Sequence, residues 1–311
     1  MPTTTTTVPA TTTTEDPGPP IQPLTGRPLD DPSIMNRPAL VVKIDNSPER
    51  GTRPHAGLNQ ADVVFEIQAE GISRYAAVFH STDAQLVGPI RSGRTGDLDL
   101  VSQLNHPLYK CSGANGFTLD LLENSPLLTS VCGQEGDTFR DHQRAVPHNL
   151  FSRTESLWAL ALPGMAAPKP IFHYRPAGTA SVGDPVGAVR VVFQSTAVVW
   201  RWDADRGGWA RTLDGSRHVD TTGLQIAPQN VVIVTTAYRR NPATGSPEAI
   251  SVASGDALVL TDGKVVPGTW KRDAPTDPYD LRDAQGNRIV VTPGQTWVQL
   301  AAEGDVQLDQ P

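Results

Sequence analysis

The sequence predicts an α+β protein whose first half mixes helices with strands and whose second half is built of antiparallel strands. Three observations carry this. Before about residue 165, β-branched runs alternate with segments whose apolar residues recur at helical spacing. After about residue 170 the helical period disappears, and short strand-like runs follow one another. The turns between them are chemically explicit: Asp262-Gly263, Gln285-Gly286-Asn287 and Pro293-Gly294 supply the positive or preset φ that hairpins need.

In chain order, residues 1–23 are almost wholly Thr and Pro, with too little apolar surface to offset the entropy of ordering. They are expected to be a disordered stalk, of the kind that holds a domain away from a surface. A domain of mixed α and β structure is expected over residues 24–165 and a β-rich domain over 166–303, with 304–311 a tail. Ala39 to Asp45, Ala61 to Glu66 and Tyr75 to Ser81 are apolar and rich in β-branched residues, and read as strands. Gly96 to Leu104 and Asn115 to Glu123 read as helices from the spacing of their leucines. Ser152, followed three residues later by Glu155, has the form of a capping box opening a third helix to Ala161. In the second half, strands are expected at 186–193, 196–202, 208–213, 230–237, 257–260, 264–271, 279–282, 288–291 and 295–300. Trp200 and Trp202 alternate onto one face, with Trp209 across from them.

Composition narrows the function. A net charge of −7 and a pI near 5.5 argue against a nucleic-acid binder, which shows a basic footprint. No apolar run approaches the length that crosses a bilayer. No hydrophobic segment precedes the Thr/Pro tract, so no signal peptide is expected in this chain. Because a stalk has to be attached to something, a secreted or lipid-anchored parent is inferred, with its membrane anchor absent from this chain. Cys111 and Cys132 are the only cysteines. They are either two buried thiols or a disulfide, which would be worth roughly 3 kcal/mol by loop entropy. Their spacing does not suggest zinc, and no cofactor or metal is expected.

Two polar stretches stand out. Arg140 to Leu150 (RDHQRAVPHNL) is too polar for a core, and a fixed polar loop is explained by what it touches. Gly88 to Asp97 (GPIRSGRTGD) supplies Arg91, Ser92 and Arg94. It comes close to a phosphate-binding loop, but Arg94 stands where lysine belongs and Pro89 removes a backbone N–H. The expectation is that the two stretches meet. Arg91, Arg94, Arg140 and Arg144, with Ser92 and Asn149, would then form one cleft for a phosphate or carboxylate. The structural alternative pairs the same arginines with Glu66, Glu70, Asp97, Asp99 and Asp141 to lock loops together.

A hydrolase or transferase would use His148 as general base, Asp141 or Glu66 to orient it, and Ser92 or Ser112 as nucleophile. No nucleophile elbow or H-E-x-x-H pair supports this. His142, His148 and Asp141 could hold a metal, but their spacing is not diagnostic. Cys111 lacks the neighbours of a transpeptidase nucleophile. Trp270 and Trp297, beside glycine turns, are either core anchors or platforms for sugar rings.

Several of these segments, in order, resemble one family. They are Pro38 to Asn46, Arg53-Pro54 with Gly57-Leu58, Ala61 to Glu66, Glu70-Gly71 and Arg74, Gly88 to Arg94, and Arg140 and Arg144 with Pro147 to Leu150. Gly255-Asp256-Ala257, Gly268-Thr269-Trp270 and Pro293 to Trp297 continue the series. The chain from about 25 to 302 is thereby similar to the YerB-like bacterial lipoproteins (domain of unknown function 3048, N- and C-terminal domains). The resemblance implies a bacterial envelope lipoprotein and a layered β-β-α sandwich, and it carries no established activity. The lipid-accepting cysteine is missing here, and Cys111 and Cys132 lie outside the family's pattern. The leading expectation is a non-catalytic binding or accessory module for an anionic envelope polymer or small anion. The alternatives are an enzyme on such a polymer, or a scaffold using the β-rich half.

Overall fold

A computed structural model describes residues 20–309 apart from residue 177. The chain folds as an α+β sandwich of three layers. An 11-stranded mixed sheet lies in the middle, with a five-stranded antiparallel sheet on one face and the helices Gly96–Val101 and Gly116–Glu123 on the other. The large sheet runs in the order Asp280–Asp283, Lys264–Lys271, Ser254–Thr261, Asn230–Thr235, Thr296–Ala301, Val63–Ala69, Ile72–Phe79, Leu40–Ile44, Leu108–Lys110, Thr129–Ser130, with Asp184–Pro185 paired to Lys264–Lys271. The small sheet runs Ser216–Arg217, Gly208–Leu213, Thr196–Asp203, Ala188–Phe193, Val306–Asp309.

The alternation of side chains explains the layers. Along Leu40–Ile44, Leu40, Val42 and Ile44 face the small sheet, whereas Val41 faces the helices. Val63–Ala69 is buried at every position, as a strand covered on both faces must be. The core between the sheets holds Tyr75, Trp200, Trp209 and Trp297. The core under helices Gly96–Val101 and Gly116–Glu123 holds Phe65, Val78, Leu100, Leu122 and Trp270. Helix Gly116–Glu123 starts where the Asn115 side chain accepts the Thr118 N–H at 2.9 Å. Three hairpins turn on residue pairs at positive φ, Glu70-Gly71 (30° and 89°), Asp214-Gly215 (50° and 80°) and Asp262-Gly263 (51° and 75°). No helix among the described residues is long and apolar enough to cross a membrane.

Four details depart from the sequence reading. The second half is not wholly antiparallel, because Thr296–Ala301 inserts parallel to both Asn230–Thr235 and Val63–Ala69. That strand joins the two halves of the chain into one sheet. Residues 288–291 make isolated bridges and no strand. The capping box at Ser152 is not made: its hydroxyl donates to the Gly136 carbonyl, and the short helix Thr154–Trp158 begins at Arg153 without a side-chain cap. Residues 306–309 are an edge strand, not a tail. The expected disordered tract lies outside the described residues up to 19, whereas Ile21 bridges Pro28 and Gln22 donates its N–H to the Arg27 carbonyl at 2.8 Å.

Candidate functional site

The two polar stretches do meet. The Ile90 N–H donates to the Leu150 carbonyl at 2.7 Å. Gly88, at φ 148°, sits where a Cβ would lie 2.7 Å from the Phe151 ring and 2.8 Å from the Leu150 carbonyl oxygen. Only glycine allows that approach. The Arg91 N–H donates to the Lys43 carbonyl and the Asp45 N–H to the Pro89 carbonyl, at 2.8 and 2.9 Å, so the Gly88 stretch runs along the end of strand Leu40–Ile44.

The hub of the junction is Asp45, a residue the sequence reading saw only as a strand end. Its buried carboxylate meets His148 Nδ1 at 2.6 Å and lies 3.1 Å from Arg91 Nε. The other ring nitrogen of His148 meets Glu49 Oε2 at 2.7 Å. His148 is therefore oriented by Asp45 and Glu49, not by Asp141 or Glu66. Asp141 pairs with Arg144, and Glu66 lies between the sheets.

The arginines do not share one opening. Arg144 spreads over Asp141 (3.1 Å) and the carbonyls of Gly51 (2.8 Å) and Pro54 (2.9 Å), and stacks on Phe151. Arg140 donates to Asn149 Oδ1 at 2.7 Å. With His142 and Phe139, Arg140 and Arg144 line a cavity of about 320 Å3 of their own. Arg94 forks onto both oxygens of Glu70 at 2.8 Å. For Arg94 and Arg144 the loop-locking alternative thus gave the right partners, Glu70 and Asp141. For Asp97 and Glu66 it did not, since their partners are Lys43 and Arg211.

Arg74 joins Arg91 and Arg94, and it is the residue that sequence reasoning missed. It is 6% exposed; Nη2 lies 3.5 Å from Glu70 Oε2, while Nε and Nη1 have no hydrogen-bond partner. Burial first, then the charge of Arg94, pull its pKa down to about 10, against the pull of Glu70 and Asp45, with Arg91 adding to the repulsion. It stays a cation at neutral pH. Its signal in the sequence was a charge inside an apolar strand, four residues after Glu70, within the family-like series.

Below this cluster, Lys43 and Asp97 form a fully buried pair at 2.5 Å. Asp97 also accepts the Arg94 N–H (2.8 Å) and the Tyr109 hydroxyl (2.6 Å), which fixes the loop carrying Arg91 and Arg94. Burial would raise the pKa of Glu70, but the hydrogen bonds and charge of Arg94, with Arg74 beside it, hold it down from an ordinary 4.5 to about 2. A carboxyl depressed in the folded state contributes stability above pH 4.5 that is lost as pH falls toward 2. The Glu70 side chain is 41% exposed, so solvent screens the effect. Glu70→Gln is expected to flatten the acid limb of the urea midpoint across that window. An acid limb identical to wild type would contradict the pairing.

Between the sheets, Glu66 receives Arg211 Nη2 (2.7 and 2.9 Å), Ser73 Oγ (2.7 Å), Trp297 Nε1 (3.0 Å) and Gln299 Nε2 (2.8 Å). Arg211 Nη1 donates to His218 Nδ1 at 2.7 Å. His218 must then carry its proton on Nε2, which donates to His55 Nδ1 at 2.9 Å. His55 Nε2 in turn donates to the Asp45 carbonyl at 2.8 Å. Both imidazoles are neutral: burial, reinforced by nearby arginines, takes His55 to about 3 and His218 well below its ordinary value. Arg211 thus donates both ways, to Glu66 on one side and, on the other, into a chain of hydrogen bonds that runs through His218 and His55 to the backbone of the hub residue.

Other candidates resolve simply. Cys111 is bonded to Cys132, so its sulfur is not a nucleophile. The Ser112 N–H donates to the Arg91 carbonyl at 3.0 Å, which sets Ser92 and Ser112 on adjoining backbone. The N–H groups of Ile90, Arg91, Gly93 and Arg94 all donate within the protein, and Thr95 Oγ1 donates to Glu248, so Gly88–Thr95 does not form a phosphate cradle. Both ring nitrogens of His148 are engaged, which removes it from a metal set with His142 and Asp141. Among the described residues no group of three or more His, Cys, Asp or Glu is arranged to hold a metal. Trp270 and Trp297 are buried core anchors with their indole N–H groups satisfied by Thr235 O (2.9 Å) and Glu66, and they offer no sugar platform.

The fold and this junction define a class of proteins recognised by two successive sequence domains. Residues 24–165 match the protein of unknown function (DUF3048) N-terminal domain and residues 189–298 its C-terminal domain, and the chain belongs to this family. The chain is 25% identical over 294 residues to “Putative lipoprotein YerB” of Bacillus subtilis (strain 168), covering 91% of this chain and 86% of that protein. The crystal structure of YerB from Bacillus subtilis shares the fold, with a TM-score of 0.81 at 23% identity over 93% of this chain and 99% of that one.

Proposed function

We propose that the chain is an extracytoplasmic anion-binding module whose ligand sits against Arg74 and Arg91. One observation carries this: a guanidinium more than nine-tenths buried, with Nε and Nη1 unpartnered, beside two further arginines. An unpaired buried donor on a charged group is costly, and a phosphate or carboxylate accepting from it removes that cost. Arg91 keeps 24% of its side chain exposed, which gives the ligand an entry. Arg94 positions the cluster through Glu70, while Arg140, Arg144 and Asn149 brace the neighbouring loop. The Cys111–Cys132 bridge and the lipoprotein relative support a location outside the cytoplasm.

Calorimetric titration with inorganic phosphate tests the proposal. Arg74→Gln and Arg91→Gln are each expected to weaken binding about tenfold or more, since a hydrogen bond to a charged group is worth about 1.5–3 kcal/mol. Arg144→Gln is expected to leave it unchanged. No binding by folded wild-type protein, or equal binding by Arg74→Gln, would overturn the proposal. Hydrolysis is the second reading, favoured by one contact: the buried Asp45 carboxylate orients His148 through Nδ1, and a substrate would have to displace the exposed Glu49 from Nε2 before that nitrogen could act as base. In that case His148→Ala would spare binding and abolish turnover.

A further inference from the structure

Beside the arginine cluster lies a second basic concavity, of about 380 Å3, at the meeting point of three hairpins. Its floor is the Glu70-Gly71 turn. The turn at Gln194 and Ser195 forms one wall, held by the Ser195 N–H donating to the Gly71 carbonyl at 3.1 Å. The opposite wall is the hairpin of Tyr238–Arg240 and Pro247–Ala249, which brings Arg239 and Arg240. This hairpin is anchored at its base, where the Tyr238 hydroxyl accepts the Gln68 N–H (3.0 Å) and donates to the Leu300 carbonyl (2.6 Å). It is anchored at its tip too, where Ser246 Oγ donates to Glu70 Oε1 at 3.0 Å. The concavity is therefore a formed part of the fold, assembled from both halves of the chain.

Glu70 is shared by the two places. Its carboxylate holds Arg94, lies near Arg74 and also lines the second concavity. Across the two places stand Arg74, Arg91, Arg94, Arg239 and Arg240, against the carboxylates of Glu70, Asp45 and Glu248. This local excess of positive charge sits in a chain of net charge −7, so it follows from placement and not from composition. Arg239 gives Nε to Glu248 at 3.2 Å but keeps 65% of its side chain exposed, and Arg240 gives Nη1 to the Gly245 carbonyl at 3.0 Å.

Resting on the reading above, we infer that the ligand is a linear polyanion, with one charged group against Arg74 and Arg91 and another in the Arg239/Arg240 concavity across Glu70. A single small anion would use only the first position. A flat lipid surface would not enter the Arg239/Arg240 concavity. A chain of repeating monoanionic groups, phosphodiester or carboxylate, can fill both at once, and the second contact is then made at high effective concentration.

The test compares orthophosphate with a polyphosphate chain of about ten residues, and galacturonate with its oligomers, at physiological salt. Vesicles of anionic phospholipid form a third arm. One of the two oligomers is expected to bind at least about tenfold tighter than its monomer, and which one does so identifies the charged group. Arg239→Ala with Arg240→Ala should remove that gain and leave monomer binding unchanged. Arg190→Ala with Arg201→Ala, exposed on the small sheet, is the charge-matched control and should keep the gain. Equal affinity for monomer and oligomer, a gain that survives Arg239→Ala with Arg240→Ala, a gain lost equally in the control, or preferential binding to vesicles would each overturn the inference. In those cases monomer binding lost in Arg74→Gln would still uphold the anion site. Failure of wild-type protein to bind either monomer or oligomer would overturn both.

Discussion

Arg211→Leu lowers the stability of the folded chain by about 3–5 kcal/mol, the cost of leaving a buried charge without its partner. Arg211 and Glu66 are both fully buried, and the guanidinium is packed among the rings of Trp297 (4.9 Å), Trp200 (5.3 Å) and Tyr75 (5.5 Å). Removing the cation strands the carboxylate of Glu66 and also frees the acceptor side of His218. The effect should appear as a fall of about 1 M or more in the urea midpoint, for a slope of about 3 kcal/mol/M. Adding Glu66→Leu should recover only part of the loss, because Ser73, Trp297 and Gln299 would then lack their acceptor. A loss below about 1 kcal/mol in the single variant would show that this ion pair does not join the two sheets.

Lys43→Met is the second large effect, again about 3–5 kcal/mol. Burial pushes the Lys43 pKa down, and the charge and hydrogen bond of Asp97 oppose it. Without Lys43, Asp97 keeps only the Tyr109 hydroxyl and the Arg94 N–H. Because that N–H fixes the loop of Arg91 and Arg94, the same variant should weaken phosphate binding, even where it is still folded. Asp97→Asn should cost less, since the amide retains the shape and part of the hydrogen bonding. Equal urea midpoints for Lys43→Met and wild type would rule out the pair as a structural element.

The strands and hairpin turns were legible because their signals are local. Runs such as Ala39 to Asp45 carry their own period, and Asp262-Gly263 carries the positive φ its turn requires. The two arginine-bearing stretches were also legible as loops that needed a partner, and they do touch. What they touch was not legible. Glu66 and Arg211 are 145 residues apart, and Lys43 and Asp97 are 54 apart. A one-residue change of register would turn either strand residue to the opposite face. Arg74 was passed over because the apolar run was read as beginning at Tyr75, which left the arginine outside it, whereas the strand Ile72–Phe79 carries Arg74 onto the buried face it shares with Ala76 and Val78.

By itself, then, the sequence determined the α+β class, the main strands, the turn chemistry, the family and the presence of arginine-rich loops. All of these rest on interactions within a few residues, or on motifs kept in order along the chain. Only the tertiary structure decided which arginines are neutralised, that Asp45 is the hub, and that Arg74 is left with unpartnered nitrogens. It alone drew Arg239 and Arg240 to the same rim. The physical reason is that electrostatic pairing depends on distance and burial. Both are set when Thr296–Ala301 slots between the two halves and closes the sheet.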